Sequence, residues 1–238
     1  LKSRILDSLL MRPLYKTADA ILAQSKDIAR DLIKVYKLPS ENIIIINNPI
    51  SKDQIKPLAN IDNVVKLLTI GRFSPEKGYD RLLKVFRKLP ESFVLQIMGD
   101  GLLLEQTKKK AKDLGVENRI TFLGFLGEEE KLKVMRDSDL YIQTSYVEGF
   151  PNSLLQSVAI GLPAIAFDVP GGTKEIINKM NGCLVKNDEI DLMVQTIKEV
   201  NFKKYDSECM QKDALERFGI SKIMKDLSLV FNKLNNEK

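Results

Sequence analysis

The chain has 238 residues, of which 44% are hydrophobic and 29% charged, with a formal net charge of +5. That balance supports one large core or two modest ones and excludes the disordered and membrane-embedded classes. Histidine is absent, which removes it as base, nucleophile or metal ligand within these residues.

The first residues set Ile5, Leu6, Leu9 and Leu10 among Lys2, Arg4 and Arg12. This amphipathic pattern reads as a core-facing helix missing its partner, or as a helix lying on a membrane, and not as a signal peptide. The start at Leu1 instead of Met suggests a fragment. Residues 18–25 are short and apolar and predict a strand. Ser25 is placed to cap a following helix with Ile28, Leu32 and Val35 on one face, stopped by Pro39. Ile43–Ile46 is a β-branched run that predicts a buried strand, broken by Asn47, Asn48 and Pro49. Residues 51–63, polar and irregular, are the best linker candidate.

Beyond the linker, strands and helices alternate. Strands are predicted at 67–70, 93–98, 120–123, 140–143 and 164–167. The first helix of the series carries Leu82, Leu83, Phe86 and Leu89 at helical spacing. Such alternation implies parallel pairing through right-handed crossovers, hence an α/β, doubly wound parallel sheet of Rossmann-like type. Ligands of these sheets sit at the carboxyl ends of strands, and the loops at Gly71, Gly99, Gly124, Glu148 and Pro170 all fall there. Cys183 and Cys209 lie far apart without a CxxC, so neither a disulfide framework nor a metal site is expected, and a reducing cytoplasm is the simplest compartment. No apolar run approaches the roughly 18 residues of a spanning helix. The basic cluster Lys108, Lys109, Lys110 and Lys112 reads as a solvated helix face. Without interleaved aromatics it gives nucleic-acid binding little support.

The most informative run is Glu148, Gly149, Phe150, Pro151, Asn152, Ser153, Leu154, Leu155 and Gln156. An acid at the tip of a glycine-containing loop precedes a small-polar pair that opens a helix, whose free N–H groups make an anion site. Glu148, just outside, suits a hydroxylated ligand, so an anion and a polyol would lie side by side. Gly71 to Gly78 joins a strand to a helix and carries Arg72, a planar fork, and Lys77, a point charge for phosphate oxygens. Alone, that loop reads equally as charged surface. Gly99, Asp100 and Gly101 form a turn after a strand, and Gly171 and Gly172 open another with amides able to meet hydroxyls or phosphate, or a plain turn capped by Thr173. Asp137 and Asp139 form an Asp-x-Asp, but at a helix end, where a structural role is expected instead of a metal site.

These motifs, in this order and spacing over residues 17–200, resemble the family 4 retaining nucleotide-sugar glycosyltransferases, whose donor loop reads Glu, seven residues, Glu. Here Gln156 stands at the second Glu. The resemblance implies the GT-B fold: residues 1–61 the end of the N-terminal, acceptor-side domain and linker, residues 62–219 the C-terminal, donor-binding domain, and residues 220–238 a last helix crossing back. It implies sugar transfer from a nucleotide diphosphate sugar, UDP ahead of GDP, to an acceptor hydroxyl with retention and no metal. Arg72, Lys77 and Glu148 would be catalytic. The substrate would be lined by Gly71, Gly99, Asp100, Gly101, Phe125, Gly149, Phe150, Pro151, Asn152, Ser153, Leu154, Gln156, Gly171 and Gly172. Implied partners are the donor and a glycan or lipid-linked glycan acceptor, as in bacterial surface polysaccharide synthesis, with peripheral association at the inner membrane face compatible. A non-catalytic nucleotide-sugar-binding module and a sugar-nucleotide epimerase are the rival readings. Taken by itself, position 156 predicts that Gln156→Glu tightens nucleotide binding, since a carboxylate accepts two charge-assisted bonds from the ribose diol.

Overall fold

The computed structural model describes residues 13–53 and 64–236. The amphipathic pattern at 2–12 and most of the linker therefore lie outside the described residues. A two-stranded parallel unit comes first: β1 (Ile21–Ala23), α1 (Lys26–Lys34) and β2 (Ile43–Ile45), with Ile21 opposite Ile43. Ser25 caps α1 as expected, its hydroxyl accepting from the Ile28 amide at 3.2 Å. The buried face is Ala29 and Leu32, not the expected Ile28–Leu32–Val35 stripe, and Val35 is exposed. β2 is also not the buried strand its four isoleucines suggest. Ile43 and Ile44 are half-buried and Ile45 is exposed; among the described residues β2 pairs with β1, and Ile43 packs against the small cluster of Ile21, Ala23, Ala29 and Leu32.

The main body is a six-stranded parallel sheet: β3 (Val65–Ile70), β4 (Phe93–Met98), β5 (Ile120–Gly124), β6 (Leu140–Gln143), β7 (Ala164–Asp168) and β8 (Gly182–Lys186). Its spatial order is β5-β4-β3-β6-β7-β8. The chain winds outward from β3 to one edge, returns, and winds outward from β6 to the other, so the switch of direction falls between β3 and β6.

Helices cover both faces, which is why the strands read as nearly continuous apolar runs. α2 (Tyr79–Arg87), α3 (Leu104–Asp113) and α7 (Ile190–Lys198) cover one face. There Leu67, Leu95, Ile97, Ile142, Ile165 and Phe167 meet Leu83, Phe86, Met193 and Ile197. α4 (Glu128–Asp137), α5 (Asn152–Ala159), α6 (Thr173–Ile176) and α8 (Ser207–Phe218) cover the other. There Leu68, Tyr141, Ala164 and Ala166 meet Leu154, Val158, Met210 and Phe218. Neighbouring strand residues thus serve opposite cores, as the two-residue period of a strand requires.

α9 (Ile220–Asn236) follows, tied at its start to the early chain. Ile50 N–H donates to Phe218 O at 2.8 Å, and Ile220 N–H to Ile50 O at 3.1 Å. No helix among the described residues is long and apolar enough to cross a membrane.

Candidate functional site

The loops leaving the carboxyl ends of β3 to β7 form one rim, stitched side to side by backbone hydrogen bonds. Gly71 N–H donates to Met98 O at 3.0 Å, Gly99 N–H to Gly124 O at 2.8 Å, and Phe73 N–H to Asp100 O at 2.8 Å. On the other side of the switch, Tyr146 N–H donates to Glu76 O at 2.7 Å and Glu148 N–H to Pro170 O at 3.0 Å. Contacts this close demand residues without side chains. A Cβ at Gly99 (φ +138°) would lie 2.0 Å from Gly71 O, and one at Gly171 (φ +122°) 1.7 Å from Glu148 O.

The centre of the rim is an ion pair across the switch point. Lys77 Nζ donates to both Glu148 oxygens, at 2.8 and 2.9 Å, and the Ser145 hydroxyl donates to Glu148 Oε1 at 2.6 Å. The structure thereby brings together two sequence-predicted site residues 71 positions apart. Arg72 is exposed, its stem against Gly101. Below lie Tyr79, whose hydroxyl donates to Gly71 O at 2.7 Å, and the fully buried Tyr141. Burial first, and the Glu148 charge second, push both hydroxyls well above their usual range, so they remain neutral donors.

α5 begins as the sequence predicts, at Asn152, with Pro151 as N-cap and no side chain capping the amides of its first turn. Those amides carry the positive end of the helix dipole. Asn152 Oδ1 accepts from Asn48 Nδ2 at 2.6 Å, so the early chain reaches this helix start.

Several expected ligand contacts take another form. Phe150 is buried edge-to-face on Phe218, with ring centres 5.5 Å apart, and Leu154 is wholly buried in the same core. At 150 and 154 only backbone remains for a ligand, because the apolar side chains are needed between helix and sheet. Both amides of the Gly171–Gly172 turn are engaged: Gly171 N–H with Asp27 Oδ2 at 2.9 Å and Gly172 N–H with Gly149 O at 2.8 Å. Thr173 does not cap the turn; it is buried and its hydroxyl accepts from Gln143 Nε2 at 2.9 Å. Phe125, at 85% exposure, stands clear of the core, beyond Gly124. Leu102, next to Gly101, is 99% exposed, an apolar group the sequence did not single out. Gln156 donates its amide to Glu128. Asp139 Oδ2 accepts from Lys66 N–H at 2.8 Å while its own N–H donates to Lys66 O at 2.8 Å, a β3–β6 tie consistent with the structural role expected of it.

Two supporting residues escaped the sequence reading. Arg81 reads as one more surface charge, yet it is 2% exposed. Its guanidinium donates to Thr144 O at 2.7 Å, to Ser145 O, to Asn187 Oδ1 at 2.7 Å and to Asp188 Oδ1 at 2.5 Å, and it lies over the Tyr146 ring at 3.9 Å. It therefore pins the segment that carries Glu148. Asp27, at the start of α1, holds Gly171 N–H and Lys174 Nζ, the latter at 3.0 Å, while Glu175 Oε1 accepts from Lys26 N–H at 2.6 Å. Arg81 could have been suspected from its place between Tyr79 and the Leu82–Leu83 start of the apolar stripe; nothing in the sequence pairs Asp27 with residue 171. A cleft of about 330 Å³ opens between α1 and the rim, lined by Asp27, Arg30, Lys34, Val147, Glu148 and Gly171.

Comparison with known proteins follows this geometry. The profile of the family described as glycosyl transferases group 1 matches residues 51–214. An uncharacterized glycosyltransferase of Methanocaldococcus jannaschii is 26% identical, covering 97% of this chain and 62% of its own. The N-acetylgalactosamine-N,N'-diacetylbacillosaminyl-diphospho-undecaprenol 4-alpha-N-acetylgalactosaminyltransferase of Campylobacter jejuni is 28% identical, with 82% of this chain and 54% of its own covered. Among solved structures, the apo lipopolysaccharide outer core galactosyltransferase WaaB superposes with a TM-score of 0.79 at 26% identity, over 92% of this chain and 63% of that one. The chain thus spans little more than half the length of the curated relatives it matches.

Proposed function

The chain belongs to the glycosyl transferases group 1 family, and we propose that it is the donor-binding part of a retaining, GT-B-type enzyme that moves a sugar from a nucleotide diphosphate sugar to an acceptor hydroxyl. The observation that carries this reading is the Lys77–Glu148 pair at the switch point, with exposed Arg72 on the same loop as Lys77 and the uncapped start of α5 just after Glu148 in the chain. In this reading the cationic groups and the helix amides would face the donor diphosphate, and a carboxylate able to accept sugar hydroxyls would sit beside them. Residues 62–219 would hold the donor, residues 1–61 would be the end of the acceptor-side domain and linker, and residues 220–238 would cross back to that domain.

In the reaction, the bond from the anomeric carbon to the diphosphate breaks and one to the acceptor oxygen forms on the same face. The acceptor proton passes to a donor phosphate oxygen. Arg72, Lys77 and the amides of residues 152–154 would stabilise charge growing on the departing diphosphate, a preorganised electrostatic effect. To bind phosphate, Lys77 must share or leave Glu148, which frees the Glu148 oxygens for sugar hydroxyls. Binding thus exchanges one ion pair for two ligand contacts. Gly99, Asp100, Gly101 and Phe125 border the expected place of the base. The Campylobacter relative, by its name, acts on a diphospho-undecaprenol-linked sugar, which supports a lipid-linked glycan acceptor; such an acceptor would bring the enzyme to a membrane surface. No metal is required in this account, because the positive charge comes from side chains and helix amides.

Calorimetric titration with UDP- and GDP-sugars, with and without chelator, tests the reading. Binding of one donor, unchanged by chelator, is expected. Strict dependence on magnesium would overturn the metal-free site, and conversion of the donor into an epimer would transfer the chain to the epimerase class.

A further inference from the structure

Gln156, on the second turn of α5, donates its Nε2 to Oε1 of Glu128, the first residue of α4. The other Glu128 oxygen accepts from Lys131 Nζ at 2.5 Å. The Lys131 hydrogen bond, and after it that of Gln156, hold the Glu128 carboxyl below its usual range against the opposing effect of burial. At neutral pH it is an ionised, acceptor-only group. Such a partner fixes the orientation of a side-chain amide: the NH2 of Gln156 must face Glu128, and its Oε1 must face away.

We propose that Glu128 is a positioning residue that locks Gln156 with its carbonyl oxygen presented as acceptor to the ribose hydroxyls of the donor. The proposal rests on the nucleotide-sugar reading above. In that arrangement Gln156 behaves towards the ribose as an acceptor, and the negative charge sits one residue further back, on α4. Glu128 is not needed merely to stabilise the start of α4. Glu129 and Glu130 also lie in the first turn, and Glu130 Oε2 already accepts from Gly127 N–H at 3.3 Å.

Two consequences separate this role from a structural one. Without Glu128 the amide can turn over and offer its NH2, and a hydroxyl, which both donates and accepts, meets a less ordered partner. Discrimination between ribose and deoxyribose should then fall, while affinity for the deoxynucleotide stays. Moreover, a carboxylate at 156 would face the Glu128 carboxylate across a hydrogen-bond distance. Gln156→Glu should therefore weaken nucleotide binding, the reverse of what position 156 predicts alone, unless Glu128 is neutralised as well.

The test is calorimetric titration of the 238-residue chain with UDP and 2′-deoxy-UDP, and with GDP and 2′-deoxy-GDP. The parent should prefer the ribonucleotide by about 3- to 10-fold, the range of one neutral hydrogen bond. Glu128→Ala should lose most of that preference with unchanged deoxynucleotide affinity, and Glu129→Gln should keep it. Gln156→Glu should bind the ribonucleotide more weakly than the parent, and Glu128→Gln/Gln156→Glu should recover it. An equal ribose preference in parent and Glu128→Ala, or tighter binding by Gln156→Glu with Glu128 in place, overturns the assignment. A parent chain that binds none of the four nucleotides overturns the nucleotide reading itself, a result distinct from an unchanged preference.

Discussion

Lys77 and Glu148 hold each other at the centre of the rim, and each is half of a proposed ligand contact. The Glu148 side chain is only 8% exposed, so removing Lys77 leaves its charge with Ser145 as the remaining side-chain donor the structure shows. Lys77→Ala should accordingly cost about 1–3 kcal/mol of folding stability, the range for a buried acceptor left short of a partner, in addition to weakening phosphate binding. Lys77→Ala/Glu148→Gln should regain the stability, as read by urea denaturation, without regaining affinity for the diphosphate. Recovery of both together would mean that Lys77 serves Glu148 and not the phosphate. Arg81 poses the same question one shell further out. Arg81→Met leaves the Thr144 and Ser145 carbonyls without their guanidinium and should destabilise the chain by about 2–5 kcal/mol. Lys84→Ala, on the exposed side of α2, should change little. Equal unfolding midpoints for these two variants would contradict the pinning role.

At the scale of elements, α1 and the turn before α6 exchange charged contacts. Asp27 accepts from Gly171 and Lys174, and Glu175 from the first amide of α1. Burial alone would raise the Asp27 carboxyl. The Gly171 amide, then the bond and charge of Lys174 and the charge of Arg30, outweigh it and leave it below the usual range. A carboxyl lowered in the folded chain contributes stability that is present above its unfolded value, about 3.9. That contribution disappears as pH falls through the lower folded value. Asp27→Ala should therefore cost about 1–2 kcal/mol at every pH from neutral to about 5, with parent and variant converging in stronger acid. A difference that instead vanished between pH 8 and 6 would show that another group carries the contact. Because Asp27 occupies the Gly171 amide, this contact also decides whether that amide is open to a sugar hydroxyl.

Over the whole molecule, the legible part is what apolar periodicity reports. Leu67–Leu68 and Ala164–Phe167 face two cores at once, so their runs marked strands covered on both sides, and the loops after them marked the rim. Gly99 and Gly171 were legible as turns after strands, but not as the close backbone approaches they make to Gly71 O and Glu148 O. Polar partnership was not legible. Lys77 and Glu148 are 71 residues apart and Gln156 and Glu128 are 28 apart, on different elements, and no local pattern says that they meet. Phe150 and Leu154 misled in the opposite sense. They lie inside a ligand motif, but their side chains belong to the core beneath it, since a helix start that presents amides upward must bury its apolar face downward. The isoleucines of β2 misled because hydrophobicity alone does not set how deeply a strand is buried.

The central claim is that cations at the β3–β6 switch hold the donor diphosphate. It is tested most directly by titrating the parent chain, Arg72→Ala and Lys108→Ala with UDP and with uridine, and in parallel with GDP and guanosine. A charge-assisted contact is worth about 1.5–3 kcal/mol. Arg72→Ala should therefore bind the cognate diphosphate roughly 10- to 150-fold more weakly than the parent, with nucleoside binding unchanged and Lys108→Ala matching the parent for both ligands. Equal losses for nucleoside and diphosphate in Arg72→Ala, or equal small losses of the diphosphate in Arg72→Ala and Lys108→Ala, would contradict the claim.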